Sequence, residues 1–513
     1  MKAPRRRLQF ALLAFMPSGP TALHPSPSHP VCKSRHASGR RVLHLAEANA
    51  GAAAVRDSGR TSAAVQQGQK VQAGTIQTQL DLQPPRGTRD FYPDDMVTRT
   101  WLFNEWRAVA ALHGFEEYDA PVLESEELYI RKAGEDVSQQ LYNMEDRSGR
   151  RLSLRPEMTP SLARMVLAKV NSLPLPLKWF SIPQCWRYER TTRGRRREHY
   201  QWNMDIWGVS EVQAEVELLS AIVTFIRKVG LSARDIGIKV STRRVLGELL
   251  PALGVPPERF AATCVLVDKL DKLPTEEVRE ALIEQGLEPA AAQKLLEALA
   301  VRNFDGLSAI LPPDSAAVAE IKKLFELAKA YDLEEWLVLD LSVVRGLAYY
   351  TGVVFEGFDR SGELRAIFGG GRYDALLSTF GGKNLPAVGF GFGDAVIMEL
   401  LKSKQLLPKL ASSPAKVVVF PMQEDLRSSA VSVAASLRSA GVPVDLVLEA
   451  KKLKWVFKHA DRLQASFVAL IGTNEVELGT VRLKRLADGS QEDVPIADLP
   501  QRVAGGLWLS VAP

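Results

Sequence analysis

Residues 186–205 read Trp186-Arg-Tyr-Glu-Arg-Thr-Thr-Arg-Gly-Arg-Arg-Arg-Glu-His-Tyr-Gln-Trp-Asn-Met-Asp205. Six arginines fall within the eleven positions 187–197, and a single glycine, Gly194, interrupts them. The aromatic residues on both sides of this cluster predict two strands of a packed sheet joined by a basic loop. Guanidinium groups are planar forks that match phosphate oxygens, so the loop is suited to binding phosphate groups.

The second of these strands carries two polar residues that share a face. Gln201 and Asp205 are four positions apart, and side chains at even spacing on a strand point the same way. A carboxylate and an amide beside strand-borne arginines predict a polar pocket for a zwitterionic or cationic small molecule.

Three further stretches are informative around this centre. Arg155-Pro-Glu157-Met158-Thr159 follows the strand-like Leu152-Ser-Leu, and Val344-Arg345-Gly-Leu-Ala-Tyr349-Tyr350-Thr-Gly352 contains paired tyrosines. The run Gly369-Gly-Gly-Arg-Tyr-Asp374 lacks the spacing of a nucleotide-binding loop and a following Lys-Ser/Thr. It therefore predicts a close-packed strand or turn.

Composition and length limit the class of protein. The chain has 513 residues, three cysteines and no apolar run of the ~18–20 residues that a membrane span needs. A membrane protein and a disulfide scaffold are therefore excluded, and no membrane partner is expected. We predict a main region in 81–243 and 336–402, which the family resemblance described below makes the catalytic core, a helical insertion in 244–335, a linker in 403–415 and an α/β domain in 416–513. Asp488-Gly489 lies between two strand-like runs of that last domain and predicts a hairpin.

The positive charge belongs to the N-terminal segment. Of the 65 Lys/Arg and 60 Asp/Glu residues, residues 1–80 hold 11 and 2, a net +9, which leaves 54 and 58, a net −4, for the remainder. This composition is typical of a transit peptide and predicts a chloroplast or mitochondrial location, or both. Arg5-Arg-Arg7 followed by the apolar Leu8–Met16 also resembles a secretory signal, and a disordered extension is the remaining alternative.

In combination, these motifs resemble the histidyl-tRNA synthetase family of class II aminoacyl-tRNA synthetases, over about residues 84–505. The parts that carry the resemblance are the opening signature Arg86–Pro93, the motif 1 helix 95–113 running into Pro121, the Arg187 stretch as motif 2, the histidine-enzyme peptide Arg345–Tyr350, and Phe457–Asp461 with Leu470–Gly472 of an anticodon-binding domain.

The resemblance implies an α+β fold. Its parts are an antiparallel class II sheet flanked by helices, a helical insertion and a C-terminal α/β anticodon-binding domain. It implies activation of L-histidine by ATP, with Mg²⁺, and transfer of histidine to tRNA(His). It also implies a homodimer that forms through motif 1.

The same resemblance assigns roles to individual residues. Histidine would be held by Glu157, Met158, Thr159, Gln201, Asp205, Tyr349 and Tyr350. ATP would be bound by Arg187, Glu189, Arg195 and Arg345, of which Arg187 and Arg345 would be catalytic at the α-phosphate. No side chain is expected to be a dedicated metal ligand.

The sequence departs from the family pattern at three positions. Val396 stands where the arginine that closes motif 3 is expected, so another basic residue of the 193–197 loop would have to replace it, or ATP would bind less tightly. Ala348 stands where many members have an acidic residue, and Asp205 stands where bacterial members often have Glu.

Two alternatives belong to other functional classes. One is a catalytically silent, histidine-sensing regulatory paralogue, which would tolerate Val396 but usually has no anticodon-binding domain. The other is a plain RNA-binding protein, which the net −4 of residues 81–513 disfavours because non-specific affinity depends on phosphate neutralisation.

Overall fold

The computed structural model describes residues 81–504, with the exception of 131–138, 271–272, Gly346 and Ala348. The predictions made for the segment 1–80 and for Ala348 therefore lie outside the described residues. None of the helices in the described part of the chain has both the length and the apolar character required to cross a bilayer.

The first half of the described chain alternates short strands with helices. Its elements are α1 (Pro93–Leu112), β1 (Glu116–Glu117), β2 (Leu123–Ser125), α2 (Glu127–Ile130), β3 (Tyr142–Glu145), β4 (Arg151–Leu154), α3 (Thr159–Lys169), β5 (Leu177–Ser181), β6 (Gln184–Trp186), β7 (Glu198–Trp207), α4 (Gln213–Lys228) and β8 (Ile236–Thr242).

A run of helices follows, and strands then return. The elements are α5 (Arg243–Ala252), a 3₁₀ turn (Pro257–Arg259), α6 (Phe260–Val267), α7 (Thr275–Glu284), α8 (Pro289–Leu299), α9 (Phe304–Ile310), α10 (Ala316–Ala330), β9 (Leu337–Leu339), β10 (Val353–Asp359), β11 (Phe368–Arg372), α11 (Leu376–Thr379), β12 (Ala387–Gly393) and α12 (Asp394–Ser403).

The C-terminal part has its own alternation of strands and helices. Its elements are β13 (Val417–Pro421), a 3₁₀ turn (Glu424–Leu426), α13 (Arg427–Ser439), β14 (Val444–Leu446), α14 (Leu453–Arg462), β15 (Phe467–Ile471), α15 (Thr473–Glu477), β16 (Thr480–Arg485), β17 (Gln491–Pro495) and α16 (Leu499–Ala504).

The largest sheet has the strand order β1-β5-β7-β12-β11-β10-β8-β9, and β6 pairs with the outer part of β7. The pairs from β5 to β8 are antiparallel, whereas the two edge pairs, β1 with β5 and β8 with β9, are parallel. The antiparallel sheet predicted from the sequence is thus confirmed, with parallel pairing added at its margins. A separate antiparallel sheet has the order β2-β4-β3.

Strand β7 lies between the hydrophobic core and a cavity, and its side chains point alternately to one and the other. Its residues Trp202, Met204 and Ile206 are buried in the main hydrophobic cluster, where Trp202 stacks on Trp106 of α1 with ring centroids 6.0 Å apart. The intervening residues project to the opposite face, because successive side chains on a strand alternate. That opposite face is where Gln201 lies.

The helices α5–α10 occupy residues 243–330, whereas the sequence predicts a helical insertion over 244–335. Buried side chains of these helices, such as Leu246, Leu295 and Ile321, belong to the same hydrophobic cluster as the main sheet. This run of helices therefore shares a continuous core with the sheet.

The C-terminal sheet has the order β14-β13-β15-β16-β17. Its first three strands are parallel and its last three are antiparallel neighbours. The predicted hairpin is present between β16 and β17, where Gly489 has a φ of +74° that suits a residue without a Cβ atom.

One local expectation was wrong. The sequence predicts a single strand before the basic loop, whereas the structure has two, β5 and β6, separated by Ile182 and Pro183. Proline has no N–H to donate to a neighbouring strand, so the ladder breaks at Pro183. Its carbonyl nevertheless accepts a hydrogen bond from the backbone N–H of Gln201, at 3.0 Å, which keeps β6 beside β7.

Candidate active site

A cavity of about 850 Å³ opens on the polar face of the main sheet. Its floor is formed by β7, β10, β11 and β12, and its sides by the basic loop 187–197 and by the loop that joins β9 to β10. Nine of the eleven residues predicted as functional line it: Glu157, Thr159, Arg187, Glu189, Arg195, Gln201, Arg345, Tyr349 and Tyr350. The other two, Met158 and Asp205, do not.

Asp205 lies immediately behind the cavity wall and is 3% exposed. The Tyr373 hydroxyl, which does line the cavity, donates a hydrogen bond to the Asp205 carboxylate. Burial raises the pKa of Asp205 to about 7, although the hydrogen bond from Tyr373 opposes the shift. Asp205 is therefore a carboxyl group that changes charge near neutral pH, and the sequence did not reveal its tyrosine partner.

Glycines on the neighbouring strands make room for these side chains. Gly389 of β12 pairs with Asp205 in the sheet, and a Cβ atom at Gly389 would overlap the Asp205 carboxylate and lie 2.8 Å from the Tyr373 hydroxyl. A Cβ atom at Gly369 of β11 would overlap the guanidinium of Arg345. The predicted close-packed strand is thus present, and its close packing serves the cavity floor.

Glu157 and Tyr349 meet across the cavity from two distant parts of the chain. The Tyr349 hydroxyl donates a hydrogen bond to Glu157 Oε2 at 3.1 Å. Burial raises the pKa of Glu157, and the charges of Arg187 and Arg345 oppose that shift. Glu157 is thus a carboxylate poised to gain from a cationic partner such as an ammonium group.

Thr159 and Met158 lie at the start of α3, directly after Glu157. Thr159 begins the helix and lines the cavity. The Met158 side chain is fully buried, and its sulfur contacts Arg155 Nη1 at 3.6 Å. It supports the backbone beneath the site and does not face the cavity.

Arg187 is held by two backbone carbonyls, one in the segment before α3 and one at the far end of the basic loop. Its Nε donates to the Pro156 carbonyl at 3.0 Å, and its backbone N–H donates to the Arg197 carbonyl at 2.8 Å. The guanidinium is thereby fixed beside Glu157 at the cavity edge, because Pro156 immediately precedes that residue. Such fixation reduces the reorganisation needed to bind an anion.

Two other arginines of the cavity form ion pairs. Arg195 pairs with Glu189, and Arg345 pairs with Glu356 of β10. Burial raises the pKa of Glu189, but the hydrogen bond from Arg195 and the nearby positive charges outweigh burial, and the net pKa is lowered. Glu356 was not identified from the sequence, since nothing in an isolated strand indicates which loop residue will lie across it.

Arg365 is a further cationic residue that the sequence did not single out. It lies in the loop joining β10 to β11 and lines the cavity. Burial lowers the pKa of Arg365, as do the positive charges of Arg195 and Arg187. This mutual repulsion identifies a part of the cavity with a surplus of positive charge. Its place in a short hairpin loop before the Gly369 run was the available sequence signal.

Val396 lines the cavity at the start of α12, beside the basic loop. A Cβ atom at Gly194 would lie 3.2 Å from Val396 Cγ2, so the loop backbone packs on the valine. Two residues earlier in α12, Asp394 accepts a hydrogen bond from Arg89 at 2.9 Å, and Arg89 also pairs with Glu198 at 2.7 Å. The Arg86–Pro93 segment is therefore anchored to both β7 and α12.

His199 of β7 is another cavity residue that was missed. Burial lowers its pKa to about 3, and the positive charges of Arg187 and Arg89 add to the effect. His199 is thus a neutral imidazole at physiological pH, and it offers the cavity a flat aromatic ring without charge.

Comparison with known proteins gives a consistent family. The family profile for histidyl-tRNA synthetase matches residues 87–394, and that for an anticodon binding domain matches residues 416–505. The chain is 55% identical over 420 residues to the chloroplastic/mitochondrial histidine–tRNA ligase of Arabidopsis thaliana, covering 82% of this chain and 86% of that protein. It is 39% identical over 415 residues to the histidine–tRNA ligase of Opitutus terrae, covering 80% and 95%.

Solved structures agree at the level of the fold. Histidyl-tRNA synthetase from Nostoc sp. superposes with a TM-score of 0.68 at 25% identity, covering 84% of this chain and all of that one. A Bacillus halodurans protein described as an ATP phosphoribosyltransferase regulatory subunit/histidyl-tRNA synthetase superposes with a TM-score of 0.64 at 24% identity, covering 77% and 99%. The second likeness bears on the fold alone.

Proposed function

Because the chain belongs to the histidyl-tRNA synthetase family, we propose that it is a histidine–tRNA ligase. It activates L-histidine with ATP to histidyl-adenylate and pyrophosphate, and it then transfers histidine to the 3′ end of tRNA(His). One observation carries the proposal: Glu157, Gln201 and Tyr349 share a single cavity with the arginines 187, 195 and 345. An amino acid and a polyphosphate can therefore be bound side by side.

The arginines supply what the first step requires. The histidine carboxylate attacks the α-phosphorus of ATP, the bond to the β-phosphate oxygen breaks, and pyrophosphate leaves. Both reactants are anionic, so Arg187 and Arg345 stabilise the charge that develops on the α-phosphate in the transition state. By analogy with other preorganised donors, the loss of one such group costs roughly 3–4 kcal/mol in the barrier.

The carboxylates and tyrosines select histidine. Glu157 and Thr159 receive the α-ammonium group with help from Gln201, whereas Asp205 and Tyr350 pair with the imidazole ring beside Tyr349. Tyr373 joins this group because it lies between Asp205 and the cavity. A site that hydrogen-bonds a polar ring discriminates against analogues that cannot form those hydrogen bonds by a factor of about 10⁴–10⁵ in kcat/KM. Met158 contributes through the backbone it supports.

Mg²⁺ enters with the nucleotide in this scheme. Glu189 and Glu356 are already paired with arginines, so the cavity favours an ion bound mostly by phosphate oxygens and water, as Mg²⁺ prefers. Bound there, the ion would neutralise phosphate charge. Arg365 and Arg195 lie in the positively charged part of the cavity and would bind the terminal phosphates, where Val396 offers no charge.

The C-terminal sheet offers a place for the anticodon. Its chain order reverses between β13 and β15, and ligands commonly bind beyond the carboxyl ends of parallel strands at such a point. A cleft of about 320 Å³ lies there, lined by Gln423, Thr473 and Asn474 among others. These amide and hydroxyl groups can pair with exposed base edges. Lys451, Lys452, Lys454 and Lys458 are close in sequence and would meet the backbone phosphates.

A homodimer completes the proposal. The motif 1 region exposes apolar side chains, with Leu112 at the end of α1 74% exposed and Val122 and Leu123 each 39% exposed. A second copy packed about a two-fold axis would cover them. Light scattering during size-exclusion chromatography should give twice the chain mass, and a monomer at micromolar concentration would refute the dimer.

The protein would serve organellar translation, because the Arabidopsis relative is named as a chloroplastic/mitochondrial histidine–tRNA ligase. Residues 1–80 would be the targeting segment. The domains predicted from the sequence for residues 81–513 would follow it. Imaging of a fusion of residues 1–80 to a fluorescent protein tests the address. Signal in chloroplasts or mitochondria is expected, and a diffuse cytosolic signal would reject the targeting role.

Pyrophosphate exchange separates the ligase from a regulatory relative. The purified full chain should show histidine-dependent exchange of pyrophosphate into ATP and should charge tRNA(His). Histidine binding without exchange would favour the regulatory alternative. The match of residues 416–505 to an anticodon binding domain already favours the ligase, since the regulatory class usually has no such domain.

A further inference from the structure

A single buried arginine outside the cavity contacts the backbone of the loop that carries Arg345, Tyr349 and Tyr350. Arg243 is the first residue of α5 and is 5% exposed. Its Nε donates to the Val344 carbonyl at 2.9 Å. Its Nη1 donates to the Tyr350 carbonyl at 3.1 Å. Its Nη2 donates to the carbonyls of Arg345 and Leu347.

These contacts join a rigid element to an irregular one. Arg243 directly follows β8, which pairs with β10 over seven residues, and its backbone N–H donates to the Gly352 carbonyl at 3.0 Å. Its base is therefore fixed by the sheet. The described residues between Asp340 and Gly352 belong to no helix or strand, and Arg345 adopts a φ of +57°, which is uncommon for a residue with a side chain.

We propose that Arg243 is a positioning residue for the histidine-activating site, because its planar fork gathers four carbonyls of residues 344–350 and so sets the placement of Arg345 and the paired tyrosines. The inference rests on the proposed function. Buried carbonyls require hydrogen-bond donors, and an arginine provides five in a fixed geometry. A lysine at the same place provides a single ammonium group, which cannot reach carbonyls at both ends of a fork.

The test compares Arg243→Lys and Arg243→Ala with Arg244→Ala in the full chain. Arg244 is the next residue of the same helix, and it pairs with Glu320 at 3.4 Å. Hydrogen exchange of the peptide 340–352 should be faster in both Arg243 variants and unchanged in the control. Equal exchange in all four proteins would overturn the inference, whether or not the chain activates histidine.

Steady-state pyrophosphate exchange then tests the link to catalysis. At a temperature where melting curves show every protein folded, Arg243→Lys should lower kcat by at least about tenfold, since misplacement by about 1 Å can cost 10²-fold. It should also raise the KM for histidine, while Arg244→Ala behaves as wild type. Millimolar guanidinium should restore activity to Arg243→Ala, and ammonium should not.

A double substitution distinguishes positioning from an independent effect. If Arg243 acts through Arg345, adding Arg243→Lys to Arg345→Ala should lower kcat much less than it does in the wild-type background. Independent, multiplicative losses would overturn the inference, and so would a faster-exchanging loop with normal kcat. If the wild-type chain catalyses no exchange, the proposed function fails, while hydrogen exchange still decides whether Arg243 holds the loop.

Discussion

Tyr373 donates its hydroxyl hydrogen to Asp205 and stands between that carboxyl group and the cavity. Asp205 lies on β7 and Tyr373 directly follows β11. Their side chains meet over Gly389 of β12, the strand between these two. The acid expected to read the histidine ring is thus already engaged before a ligand arrives. A ring nitrogen would have to share this carboxylate with Tyr373 or take its place.

The raised pKa of Asp205 makes the stability of the free protein depend on pH. With a folded-state pKa of about 7 and an ordinary value of 3.8, the folded chain binds the proton more tightly than the unfolded chain. The protonated Asp205 carboxyl therefore contributes to the free energy of unfolding. This contribution is complete below pH 4 and is lost as the pH rises to 7, at up to ~1.4 kcal/mol per pH unit.

Asp205→Asn removes this titration. The stability of the variant relative to wild type should therefore rise between pH 4 and 7 and level off above 7, as measured by urea unfolding. Tyr373→Phe should extend the window to higher pH, since it removes the hydrogen bond that lowers the pKa of Asp205. A stability difference that does not vary with pH would contradict the assignment.

Arg187→Ala and Arg345→Ala should each reduce histidine-dependent pyrophosphate exchange by at least about tenfold, because each removes a fixed positive charge from the reacting phosphate. Arg193→Ala is the matched control. Arg193 belongs to the same basic loop but is largely exposed and pairs with Glu399 at 3.3 Å. Wild-type rates in both test variants would refute the phosphate assignment.

Arg365→Ala should raise the KM for ATP several-fold, by about 1 kcal/mol or more in binding, with little change in the KM for histidine. Arg360→Ala is the matched control. Arg360 lies in the same hairpin loop, and its Nη2 donates a hydrogen bond to the Glu335 carbonyl at 2.9 Å. That control should keep the wild-type KM. Equal KM values for ATP in all three proteins would show that Arg365 does not bind the nucleotide.

Gly389→Ala should abolish measurable histidine binding, because the new methyl group overlaps the Asp205 carboxylate and crowds Tyr373. Gly247→Ala tests the same change where a Cβ atom meets nothing within 4 Å, in helix α5. There alanine should be neutral or stabilising, by up to about 1 kcal/mol. Isothermal titration with histidine measures the outcome, and normal affinity in Gly389→Ala would contradict the packing argument.

Much of the fold was predictable where local sequence and tertiary packing agree. The alternation around Gln201 and Asp205 predicted a strand with a polar face, and β7 has that face. The Gly369 run predicted a close-packed strand, which is β11, and Asp488-Gly489 predicted the β16–β17 hairpin. In each case the side-chain pattern or turn chemistry acts over a few residues and needs no distant partner.

Less of the candidate site was predictable, because its geometry is made by residues far apart in the chain. Glu157 is 192 residues from Tyr349, and Asp205 is 168 residues from Tyr373. Glu356 and Arg243 carry no local motif, so nothing adjacent to them indicates that they face or support the cavity, and the signal for Arg365 is limited to its place before the Gly369 run. Met158 is the opposite case. It lies within a motif, but its side chain is buried and does not line the cavity.

The sequence by itself determined the family, the order of the motifs, the type of several elements and the contrast between a basic N-terminal segment and an acidic remainder. Those properties depend on residue types, spacing and charge, which the chain carries in any conformation. Three relationships were decided only by the tertiary structure. Tyr373 lies between Asp205 and the cavity, glycines of β11 and β12 make room for charged side chains, and Arg243 donates hydrogen bonds to the loop that carries Arg345. The first two relationships depend on the register between strands that are distant in sequence, and a one-residue change in the register of β7 would turn the Asp205 side chain to the other face of the sheet. The third depends on where α5 begins relative to a loop about 100 residues later in the chain.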